Sequence, residues 1–297
     1  MGAPAATDAR AAKAAILGVP YDAGIHPFRV GSRQGPTAIR EQSRLIRRFD
    51  PDVADFDPLA RLGAVDCGDV ALLPGRPIEA FPRIEEAVWR IVRHGVVPVT
   101  MGGDGSMSLP QMRALARKHP GLACLHVDAH TDCYDYGPPE PYTPANQFAH
   151  AADEGLLDAK ASIHLGLRGP TYCSGVIQMA TKRGYEVITQ TQWAARGTDA
   201  VLRHVRERLA GRKVYLCFDM DIFDPSVAPG VATPTWGGIS AREGIDLMRA
   251  LAGLDIVAVD VNTVSPAQDL NGLTAHLAAT IMYEGLVLVC RKLGLDR

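Results

Sequence analysis

The sequence predicts an α/β protein in which helices cover both faces of a mostly parallel β-sheet. Short apolar runs alternate along the chain with amphipathic stretches, which is typical of strands joined by crossover helices. Two of the apolar runs end directly in acidic residues. Ligands of parallel sheets bind at the carboxyl ends of the strands, so these acidic residues are candidate functional residues.

The elements follow one another in the order that such a fold requires. The predicted strands are residues 14–19, 95–101, 122–127, 162–167, 185–189, 214–218 and 256–261. The predicted helices are residues 36–49, 77–94, 106–119, 198–210, 240–252 and 273–293. Several loops between them are rich in glycine and proline, notably 19–40, 136–144 and 224–238. The proline-rich loop 136–144 is expected to be stiff and to shape the entrance to a site.

Length and composition predict one large domain. The chain has 297 residues, 47% of them hydrophobic, and no change in composition marks a second domain, so we expect a single domain over 13–297. Residues 1–12 are small and polar, lack the basic start and apolar core of a signal peptide, and are expected to form a disordered tail.

Charge and cysteine content limit the partners and the compartment. A net charge of −2 provides no general attraction to nucleic acid or to an anionic membrane. No apolar run was expected to reach the roughly 20 residues that span a bilayer. The six cysteines are scattered without a disulfide pattern, which indicates a reducing, cytoplasmic location.

The first acidic run is LACLHVDAHTD, residues 122–132. Its polar end places Asp128, His130 and Asp132 two residues apart, so in an extended chain the three side chains point from one face. Carboxylates and an imidazole at the end of a buried strand are costly unless they hold a cation.

The second run is KVYLCFDMD, residues 213–221, in which Asp219 and Asp221 share a face. One such run alone is equally compatible with a solvated strand end or a helix cap. Two in one chain favour a metal site, and their five oxygen and nitrogen ligands suffice for one ion or for two that share a carboxylate.

Five motifs taken together resemble the ureohydrolase superfamily, the arginase and agmatinase family of manganese-dependent amidinohydrolases. They are GGDGS at 102–106, DAHTD at 128–132, CFDMD at 217–221, PGVATPTWGG at 229–238 and DVNTVSP at 260–266. The resemblance extends from about residue 14 to about residue 293, and the segment CYD at 133–135 is closer to the agmatinase-like branch. It implies an arginase-like fold of three α/β/α layers with about eight strands, two Mn²⁺ ions per chain, a homo-oligomer and a small guanidino or amidino substrate.

The same resemblance implies roles for individual residues. Asp128 and Asp219 would bridge both ions and serve catalysis, His130 and Asp221 would complete one metal position, and Asp132 would belong to the other. Thr233 would lie near the substrate. Hydroxide held between the ions would attack the guanidinium carbon and so cleave a carbon–nitrogen bond.

Three positions depart from the family pattern. Gly105 stands where the family has a metal-binding histidine, Pro144 where it has a histidine that assists proton transfer, and Thr263 where it has the glutamate that binds the guanidinium. Two explanations are open: a hydrolase with an altered substrate, including one that uses a single metal ion, or a non-catalytic homologue acting as a partner or regulatory subunit. The five retained ligands favour metal binding, because buried carboxylates without a cation destabilise a fold.

Further side chains have two interpretations each. Cys217 is either a ligand that compensates for Gly105 or a packed core thiol. Tyr134 and Trp236, with Tyr136 and Tyr142, are either walls of a substrate pocket or aromatics packed within a loop.

Overall fold

A computed structural model of the chain describes residues 1–23, 28–73, 76–137 and 141–296. In these residues eight strands form one sheet: β1 (Ala14–Val19), β2 (Val65–Asp69), β3 (Val97–Gly102), β4 (Ala123–Val127), β5 (Ile163–Leu167), β6 (Glu186–Thr189), β7 (Lys213–Asp219) and β8 (Asp255–Asn262). The strand order is β2-β1-β3-β8-β7-β4-β5-β6, and every neighbouring pair is parallel.

Ten α-helices connect the strands of the described chain. They are α1 (Gly35–Gln42), α2 (Pro58–Leu62), α3 (Pro77–Val92), α4 (Ser108–Lys118), α5 (Gln147–Asp153), α6 (Val176–Lys182), α7 (Gln190–Arg196), α8 (Thr198–Leu209), α9 (Ala241–Ala250) and α10 (Leu273–Lys292). Side chains of α3 to α6 pack on one face of the sheet, and those of α1, α2 and α7 to α10 pack on the other. Successive β1 residues alternate between the two cores, as a strand period of two requires. The predicted three-layer fold is confirmed.

Short elements were missed by the sequence patterns. β2 is only partly buried and reads VDCGD, so it lacks the apolar run of the central strands. The helices α2, α5, α6 and α7 span five to seven residues, too few to show a helical period. The predicted helix 36–49 instead ends at Gln42 and continues as a 3₁₀ turn to Leu45.

The N-terminal segment is paired with the edge of the sheet. Asp66 of β2 donates its N–H to the Pro4 carbonyl at 2.9 Å, and the Ala6 N–H donates to the Asp66 carbonyl at 2.9 Å. The prediction of a disordered tail over 1–12 is therefore wrong for residues 4–6. In the glycine-rich and proline-rich loops, residues 24–27 and 138–140 lie outside the described residues, so the expected stiffness of 136–144 is untested there.

Helix α10 is a core helix. Among the described residues it is the one helix long and apolar enough to cross a membrane, with a mean hydropathy of 1.6, but 83% of that stretch is buried in the fold. The expectation that no segment reaches this length and hydropathy is wrong. Within α10, buried Glu284 pairs with Arg249 at 2.8 Å, which balances a charge inside the core layer.

A buried carboxylate anchors the loop after β3. Asp260 on β8 accepts hydrogen bonds from Ser108 at 2.7 Å, Tyr215 at 2.6 Å and Gln111 at 3.1 Å. Ser108 begins α4, so these bonds fix the start of that helix, and with it residues 102–107, against the centre of the sheet.

Candidate metal centre

The carboxyl end of β4 carries three of the predicted ligands. Asp128 is fully buried, and its Oδ1 accepts the His130 N–H at 2.5 Å. His130 Nδ1 lies 3.2 Å from Asp128 Oδ1 and 3.1 Å from Asp221 Oδ2. Asp132 follows with a φ of 48°, a left-handed conformation that aspartate tolerates better than most residues.

The neighbouring strand β7 brings the other two. Val127 of β4 pairs with Phe218 of β7, so the two acidic runs leave the sheet side by side. The Asp221 N–H donates to Asp219 Oδ1 at 2.8 Å, and the Ala129 N–H donates to Asp221 Oδ1 at 3.2 Å. The fold therefore brings all five predicted ligands to one place.

Ligand atoms of Asp128, His130 and Asp221 lie within 4.8 Å of one another, as do those of His126, Asp128 and Asp132. Asp128 is common to both groups, and both could hold a metal ion.

The electrostatics of the cluster require a cation. Burial raises the pKa of Asp219 and of Asp132 well above the usual range, and neighbouring carboxylates add to this effect. Burial alone would raise the pKa of Asp128 too, but His126 and His130 hold it well below the usual range. Burial alone would lower the pKa of His130, but Asp221 and Asp128 raise it well above its ordinary value. Four buried carboxylates with the imidazoles of His126 and His130 are a donor set suited to divalent metal ions.

Two buried histidines, His126 and His164, lie behind Asp128 on the side of the sheet interior. His126 Nε2 lies 2.9 Å from Asp128 Oδ2, and His126 Nδ1 lies 2.8 Å from His164 Nδ1. Both ring nitrogens of His126 are thus engaged, so this residue orients Asp128 in the manner of a histidine behind a metal ligand.

A cleft of about 680 Å³, open to solvent, leads to the cluster. Residues singled out from the sequence that line it are Gly105, His130, Asp132, Tyr134, Pro144, Asp219, Asp221, Thr233 and Thr263. Lining residues that sequence patterns missed include Asp22, Arg29, Asp104 and Tyr172. Burial raises the pKa of Asp104 to about 6, and its carboxyl accepts the Ala23 N–H at 2.6 Å.

Thr263 lies at the inner end of this cleft. Its hydroxyl donates to Asp219 Oδ1, and its N–H donates to the Gly103 carbonyl at 2.7 Å. The hydroxyl thus binds a carboxylate of the cluster and holds it in place.

Three of the aromatic side chains named as possible pocket walls have other surroundings. The side chain of Trp236 is 74% exposed and does not line the cleft, which favours the interpretation as a loop aromatic over that as a substrate-binding residue. Tyr136 stacks on His150 with ring centroids 3.6 Å apart, and Tyr142 packs on Phe81 at 5.1 Å.

Asp224 supports the loop that carries Trp236. It accepts N–H bonds from Ser226 at 3.0 Å, Gly237 at 2.9 Å and Gly238 at 3.2 Å.

Cys217 does not compensate for Gly105. Its thiol lies 3.5 Å from Ser108 Oγ and accepts from Asn262 Nδ2 at 3.4 Å, one step deeper than Asp219, and it does not line the cleft. Burial, with Asp260 nearby, raises the pKa of this thiol well above its usual value and so disfavours the thiolate that metal binding needs. Of the two interpretations of Cys217, these contacts favour the packed core thiol.

The parallel sheet and the cluster at its carboxyl edge define a metal-dependent hydrolase of the ureohydrolase class. A model of the arginase family matches residues 12–287, and the chain belongs to that family. It is 36% identical to a guanidinobutyrase of Pseudomonas aeruginosa, over 93% of this chain and 86% of the relative. It is also 36% identical to an agmatinase of Neisseria meningitidis serogroup C, over 92% and 86%. Among solved structures, a proclavaminate amidino hydrolase from Streptomyces clavuligerus superposes with a TM-score of 0.93 at 32% identity, covering 98% of this chain and 96% of that one.

Proposed function

We propose that the chain hydrolyses a guanidino acid, a substrate with a guanidino group at one end and a carboxylate at the other. Water would cleave a carbon–nitrogen bond of the guanidino group, giving urea and an amino acid. Identity does not select this substrate, because the guanidinobutyrase and the agmatinase are equally similar to the chain.

The observation that carries the proposal is Arg29. This residue lines the same cleft as Asp132 and Asp219. Its Nη2 donates to the carbonyls of Val231 at 2.6 Å and Pro229 at 3.1 Å, which fix the guanidinium against the loop after β7.

Arg29 is a cation without an anionic partner among the described residues, since its acceptors there are neutral carbonyls. Burial lowers its pKa, yet an arginine remains charged at neutral pH. A carboxylate entering the cleft would pair with it. The ammonium group of agmatine would meet a like charge instead.

The catalytic metal would be Mn²⁺, with two ions per chain. The residues that would hold them are Asp128, Asp219, His130, Asp221 and Asp132, with Asp128 common to both groups of candidate ligands. When bound, such ions lower the pKa of water and polarise the group under attack. The chain's own contribution is to hold the ligands: His126 orients Asp128, and the Thr263 hydroxyl orients Asp219.

The three departures at Gly105, Pro144 and Thr263 raised the non-catalytic alternative, but the four buried carboxylates are present and the cleft reaches Asp132, Asp219 and Asp221, which supports a hydrolase. The homo-oligomer and the cytoplasmic location stay predictions.

The experiment is a urea-release assay on protein loaded with Mn²⁺, using 4-guanidinobutanoate, 3-guanidinopropanoate and agmatine. We expect release from at least one guanidino acid with a kcat/KM at least about tenfold above that for agmatine. Asp219→Asn serves as the inactive control. Release from agmatine alone would show that the substrate class is wrong, and release from none would show that the substrate is not a simple guanidino compound.

A further inference from the structure

A carboxamide occupies the space beside Gly105. A Cβ atom added at Gly105 would lie 2.7 Å from Gln147 Nε2 and 3.2 Å from Asp132 Oδ2. Gln147 Nε2 itself donates to Asp132 Oδ2 at 2.6 Å. The end of the Gln147 side chain therefore occupies space that a side chain at position 105 would need, and it touches a carboxylate of the cluster.

The other end of this amide is unsatisfied. Gln147 is 1% exposed, and its Oε1 has no hydrogen-bond partner among the described residues. A buried acceptor without a partner costs about 1–3 kcal/mol, which indicates that a partner is missing. A half-turn of the carboxamide exchanges its nitrogen and oxygen, which places Oε1 beside Asp132 in place of the N–H donor and moves the NH2 group to the position that Oε1 now occupies. Beside Asp132, a cation bound to that carboxylate would be the partner of Oε1.

The backbone around Gln147 is held firmly. Gln147 is the first residue of α5, and the next residue, Phe148, donates its N–H to the Asp132 carbonyl at 3.0 Å. Tyr185 donates its hydroxyl to the Phe148 carbonyl at 2.9 Å. Both bonds are made by the backbone of Phe148, so they fix the start of α5 against the end of β4 and leave the Gln147 carboxamide beside Asp132.

We propose that Gln147 is a metal ligand of the position beside Asp132, with its carboxamide oxygen facing the ion. An amide oxygen is a neutral, hard ligand suited to Mn²⁺, and it adds no negative charge to a cluster that already holds four carboxylates. The inference rests on the proposed two-ion centre but not on the proposed substrate.

The experiment compares Gln147→Met and Gln147→Glu with the parent by Mn²⁺ titration calorimetry and by elemental analysis of ions per chain. Methionine has a similar length and no amide, so we expect one of two ions to bind about 100-fold more weakly or to be lost. Glutamate offers an oxygen ligand but no N–H donor, so we expect both ions to remain. Gln178→Met, on the exposed side of α6, is the matched control and should bind like the parent.

Three results would overturn the proposal. Gln147→Met that binds two ions as tightly as the parent would remove Gln147 from the centre. Gln147→Glu that binds as weakly as Gln147→Met would show that the amide acts as an N–H donor to Asp132. A parent that binds fewer than two ions would also exclude it. Thermal unfolding of each metal-free variant identifies any that fails to fold, and urea release is tested separately, so failure of the substrate proposal leaves this result intact.

Discussion

Thr263 donates from its hydroxyl to Asp219 while its own backbone lies in the left-handed region, with a φ of 65°. For a β-branched residue this conformation costs on the order of 1–3 kcal/mol. It persists because the Thr263 N–H is bonded to the Gly103 carbonyl, which ties the end of β8 to the loop after β3. Backbone strain is therefore held at the residue that fixes a carboxylate of the metal centre.

Removing this hydroxyl should weaken metal binding. In Thr263→Ala, Asp219 loses a donor that fixes its orientation, and we expect Mn²⁺ to bind about 10-fold to 100-fold more weakly. Thr263→Ser keeps the hydroxyl and should stay within a few-fold of the parent. The measurement is calorimetric titration with Mn²⁺. Equal affinities for the alanine and serine variants would mean that the hydroxyl does not position Asp219.

Replacing one carboxylate by a neutral amide should change the unfolding temperatures of the metal-free and metal-bound proteins in opposite directions. In Asp219→Asn, the amide oxygen can still accept from Asp221 and Thr263, while one of four buried negative charges is removed. We expect the metal-free variant to unfold at a higher temperature than the metal-free parent, because less uncompensated charge is buried. With Mn²⁺ present, we expect the order to reverse. A lower unfolding temperature for the variant under both conditions would contradict the assignment of the cluster as a metal centre.

The metal-free protein should lose stability as the pH rises from about 5.5 to about 8, because the groups whose pKa is raised by folding outnumber buried His164, whose pKa burial lowers well below its usual value and which acts in the opposite direction. Asp132, Asp219 and Asp104 have raised pKa values in the fold, about 6 for Asp104, so the native state binds more protons than the unfolded chain across this range. The raised pKa of His130 acts in the same direction. Protonated His130 stabilises the fold fully below its unfolded pKa of about 6.5, and this contribution is lost as the pH rises through the higher pKa that His130 has in the folded protein. The lowered pKa of Asp128 stabilises the fold at every pH above about 4, so its contribution is constant here.

Metal should change this profile, since its affinity increases as the ligands lose their protons. Urea unfolding at about pH 5.5 and 8, with chelator and with Mn²⁺, measures both profiles. A metal-free free energy of unfolding that rises with pH would contradict the electrostatics of the cluster.

The five ligands could be predicted from the sequence because each follows a buried strand at a spacing of two, and parallel strands place their carboxyl ends together. The positions of Arg29 and Gln147 in the site could not be predicted from the sequence. Arg29 contacts a loop about 200 residues away in the chain, and Gln147 reaches Asp132 only because α5 folds back onto the end of β4.

Sequence patterns also failed to predict an edge strand, its pairing with the N-terminal segment, and the direction of a side chain in an exposed loop. β2 is partly exposed, so the alternation of buried strands is absent from it, and residues 4–6 pair with it through backbone groups that carry no sequence signal. The sequence leaves two interpretations of Trp236 open, because the direction of a side chain in a loop depends on bonds such as those of Asp224 to Gly237 and Gly238.

Restoring a histidine at position 105 should require a second change. In Gly105→His the new Cβ would lie 2.7 Å from the Gln147 amide, so we expect a loss of about 1–3 kcal/mol in the free energy of unfolding and no gain in metal content. Gly105→His combined with Gln147→Ala removes the clash and should bind two ions at least as tightly as the parent. Denaturant unfolding and elemental analysis measure the two effects. If the single and double variants behave alike, the two positions do not share one space.

Exchanging Arg29 for an uncharged residue should change which substrate is preferred. In Arg29→Met the carboxylate of a guanidino acid loses a charge-assisted hydrogen bond of about 1.5–3 kcal/mol, so we expect kcat/KM to fall about 10-fold to 100-fold for 4-guanidinobutanoate. Agmatine, which meets no cation in the variant, should be hydrolysed as well as before or faster. Arg29→Lys keeps the charge and is the matched control, with a smaller loss expected on the guanidino acid. An equal loss on both substrates would show that Arg29 acts only through its bonds to the Pro229 and Val231 carbonyls, as a support of the loop, and that the carboxylate of the substrate is bound elsewhere.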